Sequence, residues 1–122
     1  MTTVNGSVNV ALNTVSARVL LFRKFLGEVL RSRRMQRGMT LRQVSAAALV
    51  SLGYISEIER GQKEASSELL ASLCAALDAP LSEVLRDVSD AVALEEETRL
   101  EVTSLDQVAE ARRRGDVVAS AA

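Results

Sequence analysis

The sequence has one cysteine and no histidine, and these absences limit the chemistry that the protein can perform. A single cysteine cannot form a disulfide within its own chain, and a zinc site built from His and Cys ligands is not expected. No Gly-rich phosphate loop and no cluster of acids in a predicted cleft is visible, which argues against an enzyme. We therefore expect no catalytic residue, no metal and no cofactor.

Long apolar runs, prolines and aromatic side chains are also scarce. No stretch reaches the roughly 18 uncharged apolar residues of a membrane helix. No basic region precedes an apolar run at the N-terminus, so a signal peptide is not expected. The chain has one proline and 2% aromatic residues, against 48% hydrophobic residues. This composition favours an all-α fold packed by aliphatic side chains. Because neither a membrane helix nor a signal peptide is expected, we predict a cytoplasmic protein without membrane partners.

The net charge of −1 hides a strong asymmetry along the chain. Residues 18–63 sum to +7, residues 64–111 to −10 and residues 112–122 to +2. A basic docking face with an acidic back half would give this pattern. The alternative is a solvated charge distribution that has no partner.

Residues 40–61, TLRQVSAAALVSLGYISEIERG, are predicted to form two short helices joined by a tight link. Thr40 and Ser51 are candidate N-caps, and Gly61 is a typical stop. In each helix the residues of the predicted buried face recur at spacings of three and four. They are Leu41, Val44, Ala47 and Ala48 in the first helix, and Tyr54, Ile55, Ile58 and Gln62 in the second. Such a layout is a helix-turn-helix, whose second helix enters the DNA major groove.

The flanking segments are predicted to be helical as well. A helix capped by Ser16 should run from about residue 17 to 37, weakened at Gly27, with its buried stripe at Phe22, Leu26, Val29, Leu30 and Arg33. A fourth helix should start at Ser66 or Ser67, and a fifth after Pro80. Residues 98–102 are either a break or a continuation, and Ser104 with Gln107 resembles a capping box for a last helix.

These elements predict four segments. They are a flexible N-terminal arm at 1–15, a helix-turn-helix DNA-binding domain at 16–80, C-terminal helices for dimerisation at 81–114, and a flexible tail at 115–122.

Leu26 to Gln62 resembles the Cro/CI-type (XRE) helix-turn-helix family. The resemblance rests on LRxxR before a glycine, a threonine that opens the next helix, and SxxYISxIERG. It extends to roughly Val88, and residues 24–97 are more narrowly similar to the actinobacterial regulators of clp protease genes. It implies a transcription regulator that binds a palindromic operator in double-stranded DNA as a homodimer. The narrower similarity implies an activator of Clp protease and proteostasis genes, with RNA polymerase as a partner.

Two other functions are compatible with the same fold. One is an autoregulating repressor or antitoxin, and the other is a protein-interaction module with no DNA target.

Side chains that face away from Ile55 and Ile58 are predicted to contact bases; these are Leu52, Gly53, Ser56 and Glu57. Ser56 can donate or accept, Glu57 can accept from a cytosine amino group, and Leu52 can touch a thymine methyl. The alternative for Glu57 is a solvent-facing helix residue. Leu52 and Gly53 replace a commoner polar pair of the family, so DNA shape is expected to supply part of the specificity.

Phosphate contacts are expected around this surface, from hydroxyls, backbone N–H groups and cations. The candidates are Thr40, Leu41, Arg42, Ser51, Tyr54, Arg60, Lys63, Arg31 and Arg37, with Arg33 as a further cation. The family resemblance places Thr40 and Leu41 at the phosphates. Leu41 stands where many members have glutamine, and Leu49 stands in the turn where many have glycine.

Four further expectations concern structure and regulation. By resemblance, Arg34 and Glu59 form a buried salt bridge between the first and third helices. The seam Leu81, Leu85, Val88 and Val92 is close to a heptad pattern. Leu85, Val88 and Val92 are the candidate dimer residues unless they pack inside one chain. Leu81 and Leu85 are expected to pack inward, and Val88 and the residues beyond it are expected to face the partner. Cys74 is expected to be buried and inert. The tail, VVASAA, resembles tags read by Clp unfoldases.

Overall fold

The computed structural model describes the backbone of residues 14–113 and the side chains of residues 14–100 and 106–112. This part of the chain forms five α-helices and no strand. The helices are α1 Val15–Gln36, α2 Leu41–Ala48, α3 Leu52–Glu59, α4 Ser67–Ala76 and α5 Leu81–Arg113. The predicted all-α class is confirmed. The predicted N-terminal arm, apart from residues 14 and 15, and the tail lie outside the described residues, and no described helix could cross a membrane.

Side-chain hydroxyls start the first four helices, because each supplies an acceptor to a first-turn N–H that has no helical partner. Thr40 Oγ1 accepts from the Gln43 N–H at 3.1 Å, and Gln43 Oε1 accepts from the Thr40 N–H at 2.8 Å. The pair is a complete capping box. Ser51 and Ser66 cap α3 and α4. The cap of α1 is Thr14 and not Ser16, so that helix starts two residues earlier than the sequence analysis places it.

The core is entirely aliphatic apart from one thiol, as the composition implies. The buried set comprises Leu26, Leu30, Val44, Ala48, Ile55, Ile58, Leu70, Leu73, Cys74, Leu77, Ala79, Val84 and Val88. Three residues assigned to buried faces are exposed, namely Ala47, Gln62 and Phe22. For Ala47 and Phe22 the helix places neighbouring side chains against the other elements, whereas Gln62 lies beyond the end of α3 at Glu59.

α1 is continuous through Gly27, the residue at which its low helix propensity predicted a weak point. Gly27 lies where α1 touches the end of α3. A β-carbon at Gly27 would lie 2.4 Å from the carbonyl oxygen of Ile58 and 2.6 Å from that of Glu59. These separations are well inside van der Waals contact. The absence of a side chain is therefore what allows the two helices to approach so closely.

α5 is one uninterrupted helix of 33 residues, since neither proline nor glycine occurs between Leu81 and Arg113. Residues 98–102 are thus a continuation, and the predicted helix start at Ser104 is wrong. The first turns of α5 belong to a compact unit that ends at Val92, and the residues from Ala93 onwards form a second unit. Within the second unit, Thr98 Oγ1 donates to the Leu94 carbonyl at 2.9 Å and Arg99 pairs with Glu95 at 3.0 Å.

Candidate nucleic-acid interface

The turn between α2 and α3 has a left-handed residue at its centre. Leu49 adopts φ 59° and ψ 44° while its side chain is 90% exposed. Ser45 stabilises this turn, because its carbonyl accepts from the Val50 N–H at 3.2 Å and its hydroxyl donates to the Val50 carbonyl at 2.5 Å. The chain therefore makes the turn with leucine where glycine would carry no steric penalty.

One face of α3 is fixed in the core and the opposite face is open. Ile55 and Ile58 are 2% and 1% exposed. On the other side lies a shallow groove lined by Ser51, Leu52, Gly53, Tyr54, Ser56, Glu57, Arg60 and Lys63. The structure thus brings together all four predicted base-contact residues and four of the predicted phosphate-contact residues.

Polar groups in this groove are already ordered by neighbours. Arg60 Nη1 donates to the Ser56 hydroxyl, and Arg60 Nη2 lies 3.3 Å from Gln62 Oε1. The Tyr54 hydroxyl donates to the Glu64 carbonyl at 2.9 Å, which leaves that oxygen free to accept one more hydrogen bond. No atom lies within 4 Å of where a Gly53 β-carbon would sit, so the groove is open above this position.

The loop that follows α3 is held against both α3 and α1. Gly61 takes φ 74°, and the Gln62 N–H donates to the Glu57 carbonyl at 2.8 Å, which closes the helix end. The Glu64 carboxylate pairs with Arg23 of α1 at 3.3 Å. Because both ends of the loop are tied down, Lys63 is presented from an ordered segment.

The other phosphate candidates lie in three different environments. Thr40, Leu41 and Arg42 form the first turn of α2, with the Arg42 side chain exposed. Arg31 lines a separate shallow surface of α1 with Glu28, Ser32, Met35 and Gln36. Arg37 is half-exposed and pairs with Asp78 at 3.3 Å. The structure therefore does not bring Arg31 or Arg37 into the α3 groove.

Arg33 is not a free phosphate contact, which corrects that assignment. Its guanidinium lies 2.7 Å from Asp87 Oδ2 and 3.2 Å from Glu83 Oε1. These hydrogen bonds raise the pKa of Arg33 above its normal value. Arg33 thus joins α1 to α5, a role that was not predicted. The signal in the sequence was the spacing of four residues between Glu83 and Asp87, which places both acids on one face of α5.

Arg34 and Glu59 form a two-bond ion pair between α1 and α3. Arg34 Nε lies 2.7 Å from Glu59 Oε2, and Nη2 lies 2.9 Å from Oε1. The third donor, Nη1, binds the Met39 carbonyl at 3.0 Å. The side chains are 11% and 8% exposed, and the hydrogen bond to Glu59 raises the pKa of Arg34. Arg34 therefore holds both the end of α3, through Glu59, and the loop before α2, through the Met39 carbonyl.

Burial on α5 changes the candidate dimer surface. Val88 is 3% exposed and packs in its own chain's core, so it is not available to a partner. Val92 is partly buried against the same core, while Leu81 and Leu85 are each 43% exposed. The predicted orientation of these residues is therefore wrong: the inward stripe of the helix passes through Val84 and Val88, and this phase turns Leu81 and Leu85 outwards.

Cys74 and the titratable groups around it give no sign of a reactive centre. The thiol is 3% exposed, and burial raises its pKa while the positive charge of Arg33 partly opposes that shift. In the described part of the chain, no group of three His, Cys, Asp or Glu residues is arranged to hold a metal ion.

Comparison with known proteins agrees with this geometry. A family model for the helix-turn-helix domain matches residues 26–87, which include α2, α3 and the groove. The chain belongs to the Cro/CI-type helix-turn-helix family. It is therefore a transcription regulator of the helix-turn-helix type, and the predicted membership is confirmed.

Relatives of this helix-turn-helix chain include regulators of known structure. The transcriptional regulator ClgR of Mycobacterium tuberculosis is 58% identical over 76 residues, which are 62% of this chain and 68% of that protein. The crystal structure of the clp gene regulator ClgR from Corynebacterium glutamicum is 45% identical, with a TM-score of 0.64, over 71% of this chain and 93% of that one. The restriction-modification controller protein C.AhdI from Aeromonas hydrophila is 26% identical, with a TM-score of 0.50, over 51% and 94% of the two chains.

Proposed function

We propose that the protein binds a palindromic operator in double-stranded DNA as a homodimer, with α3 in the major groove. The observation that carries this proposal is the open face of α3. The face gathers hydroxyl, carboxylate, methyl-bearing and cationic groups into one groove, while its opposite side is fixed by Ile55 and Ile58. A rigid helix with such a mixed face suits the donor, acceptor and methyl pattern of base edges.

Base reading is assigned to Leu52, Gly53, Ser56 and Glu57. Two of these have polar side chains, so few direct hydrogen bonds to bases are available and the shape of the operator contributes to specificity. In the free chain the Ser56 hydroxyl is engaged by Arg60. On DNA, transfer of Arg60 to a phosphate would release that hydroxyl for a base.

Phosphate contacts are assigned to groups that surround the groove and the start of α2. Thr40, Leu41 and Arg42 present the N-terminus of α2, which attracts anions. Ser51, Tyr54, Arg60 and Lys63 flank the groove. Arg31 and Arg37 are assigned to phosphates beyond it, where Arg37 would have to leave Asp78.

Dimerisation is assigned to the exposed side of α5. Leu81 and Leu85 are one turn apart and both remain exposed in the single chain. Val92, which is only partly buried, lies about two turns after Leu85 and is the third residue assigned to this surface. A two-fold dimer would place its two α3 helices about 34–36 Å apart, one helical turn of DNA.

Similarity to the ClgR regulators supports a role in controlling Clp protease genes. We assign the protein as an activator of such genes, acting with RNA polymerase. Degradation through residues 118–122 by a Clp unfoldase is a further part of the hypothesis, and deletion of this segment should lengthen the half-life of the protein in cells. An unchanged half-life would rule out the tag.

The test of DNA recognition is selection of bound fragments from genomic duplex DNA at physiological salt, followed by sequencing. We expect a palindrome with half-sites about one turn apart beside Clp protease genes. Glu57→Gln should change the preferred base at one position of each half-site, whereas Glu68→Gln, an exposed acid at the start of α4, should not. Retention without a motif would contradict sequence-specific regulation, and no retention by a folded dimer would favour a protein-interaction module.

Two measurements separate the remaining alternatives. Transcription from the selected promoter with and without the protein distinguishes an activator from an autoregulating repressor. Sedimentation of Leu85→Glu should show a monomer, while Met35→Glu, which adds the same charge at an exposed apolar residue of α1, should stay dimeric. A dimeric Leu85→Glu variant would contradict the assigned interface.

A further inference from the structure

Basic side chains continue from the α3 groove onto the N-terminal half of α1. Arg60 and Lys63 line the groove, and Gly61 lies between them in sequence. A β-carbon at Gly61 would be 3.2 Å from the Cα of Lys24 and 3.5 Å from the carbonyl oxygen of Arg23. The backbone of α1 is thus in contact with the loop that carries the groove's cations.

The two basic residues of α1 at this contact differ in how they are neutralised. Arg23 pairs with Glu64 at 3.3 Å, and its side chain is 26% exposed. Lys24 is exposed and forms no ion pair with any described residue. Of the two, Lys24 is therefore the cation that pairs with no described acid, on the stretch of α1 whose backbone contacts the loop after α3.

The Lys24 ammonium also has an aromatic neighbour. It lies 5.2 Å from the centroid of the Phe25 ring, within the range of a cation–π contact. Phe25 is itself partly buried and packs against the core. A cation held by a fixed ring loses less freedom when it binds a phosphate than one on an unrestrained side chain.

We propose that Lys24 is a phosphate-binding residue, so that the DNA-contacting surface extends from the helix-turn-helix onto α1. This inference rests on the proposed DNA binding. DNA is the anion expected here because Lys24 lies on the stretch of α1 that contacts the loop between Arg60 and Lys63, and a duplex carries phosphates at regular spacing.

Glu64 modulates this surface by holding Arg23. Its carboxylate is 73% exposed, so the ion pair is open to competition by phosphate and salt. Replacing Glu64 by glutamine removes a negative charge beside the phosphates and releases Arg23. The release adds a cation to the surface that Lys24 already occupies.

The salt dependence of DNA affinity tests the proposal directly. Binding of the full chain to a mixed-sequence duplex of about 30 base pairs, roughly three helical turns, is measured over a range of salt concentrations for the wild type and four variants. The variants are Lys24→Gln, Lys24→Arg, Glu64→Gln and, as a control, Arg86→Gln, which changes an exposed cation on α5. Circular dichroism checks that each variant is folded.

We expect Lys24→Gln to lower the slope of log affinity against log salt by about 0.9 per protomer. Lys24→Arg and Arg86→Gln should keep the wild-type slope, and Glu64→Gln, which releases Arg23, should make it steeper. An unchanged slope for a folded Lys24→Gln variant that binds as tightly as the wild type would overturn the inference while leaving the proposed function intact. If the wild type shows no salt-dependent binding to duplex DNA, both proposals fail.

Discussion

Replacing Gly27 and Gly53 by alanine should change stability in opposite directions, although both glycines lie inside helices. In an exposed helix interior, alanine is more stable than glycine by about 0.5 to 1 kcal/mol. Gly53 is exposed and has no neighbour within 4 Å of the position of a β-carbon. Because Gly53 is the second residue of α3, Gly53→Ala should raise the free energy of unfolding by at most that amount.

At Gly27 the same propensity gain is outweighed by a clash. The new methyl would lie 2.4 Å and 2.6 Å from two backbone carbonyl oxygens at the end of α3. Backbone atoms cannot move aside by changing a rotamer, so α1 and α3 must separate. Overpacking costs roughly 1 to 3 kcal/mol, and the upper end of that range applies here. After subtraction of the propensity gain, we expect a net loss of about 2 kcal/mol.

Urea unfolding followed by circular dichroism measures both effects. The protein concentration must be the same throughout, because dimerisation adds a concentration-dependent term to the apparent stability. A Gly27→Ala variant as stable as the wild type would refute the close contact between α1 and α3. A destabilised Gly53→Ala variant would show that this glycine has an unrecognised role in the fold.

The Gly53 variant also tests the interface. Since alanine at position 53 would contact no other atom of the free protein within 4 Å, any loss of affinity for the selected operator reports a close approach of DNA to this residue. We expect a loss of about 1 to 3 kcal/mol, comparable to one mismatched base pair. Unchanged affinity would remove Gly53 from the base-contact set.

Three other predictions follow from single residues. Leu49→Gly should stabilise the protein by about 1 kcal/mol in thermal or urea unfolding, because glycine adopts the left-handed conformation of this residue without steric cost. The leucine side chain is 90% exposed, so no packing is lost. A destabilised variant would contradict this geometry. Glu59→Gln should cost about 3 kcal/mol in urea unfolding, and replacing both partners, Arg34→Met with Glu59→Met, should recover much of that loss. Because the hydrogen bond to Glu59 raises the pKa of Arg34 from an already high value, the contribution of the pair should persist through neutral pH and be lost as the pH rises into strong alkali. Cys74 should react with a thiol reagent only as fast as the protein unfolds, since burial excludes the reagent and raises the pKa of the thiol; rapid labelling of the native state would contradict the burial.

Local sequence signals were sufficient to predict that the helices exist and which residues line the groove. The hydroxyls of Thr40 and Ser51 and the glycine at position 61 act within one turn of chain, so their effect can be predicted without tertiary structure. The spacing of Ile55 and Ile58 sets which face of α3 is buried, and the opposite face follows from helix geometry. The same reasoning explains why the residues assigned to bases line one groove.

The failures share a physical cause, which is that contacts distant in sequence override local preference. Gly27 looked like a weak point until its contact with the carbonyls of α3 was known. Arg33 looked like a free cation, but its two acid partners lie fifty and fifty-four residues away. Val88 fits a heptad seam, yet the way α5 packs on the core turns it inwards and Leu85 outwards.

The sequence by itself determined the all-α class, the helix-turn-helix and the face of α3 that remains open, because periodicity and capping act through neighbouring residues. Only the tertiary structure decided which cations remain free, where two helices touch at a glycine, and which side of α5 is exposed. Those properties depend on distances between residues far apart in the chain, and these distances are set when the helices pack together.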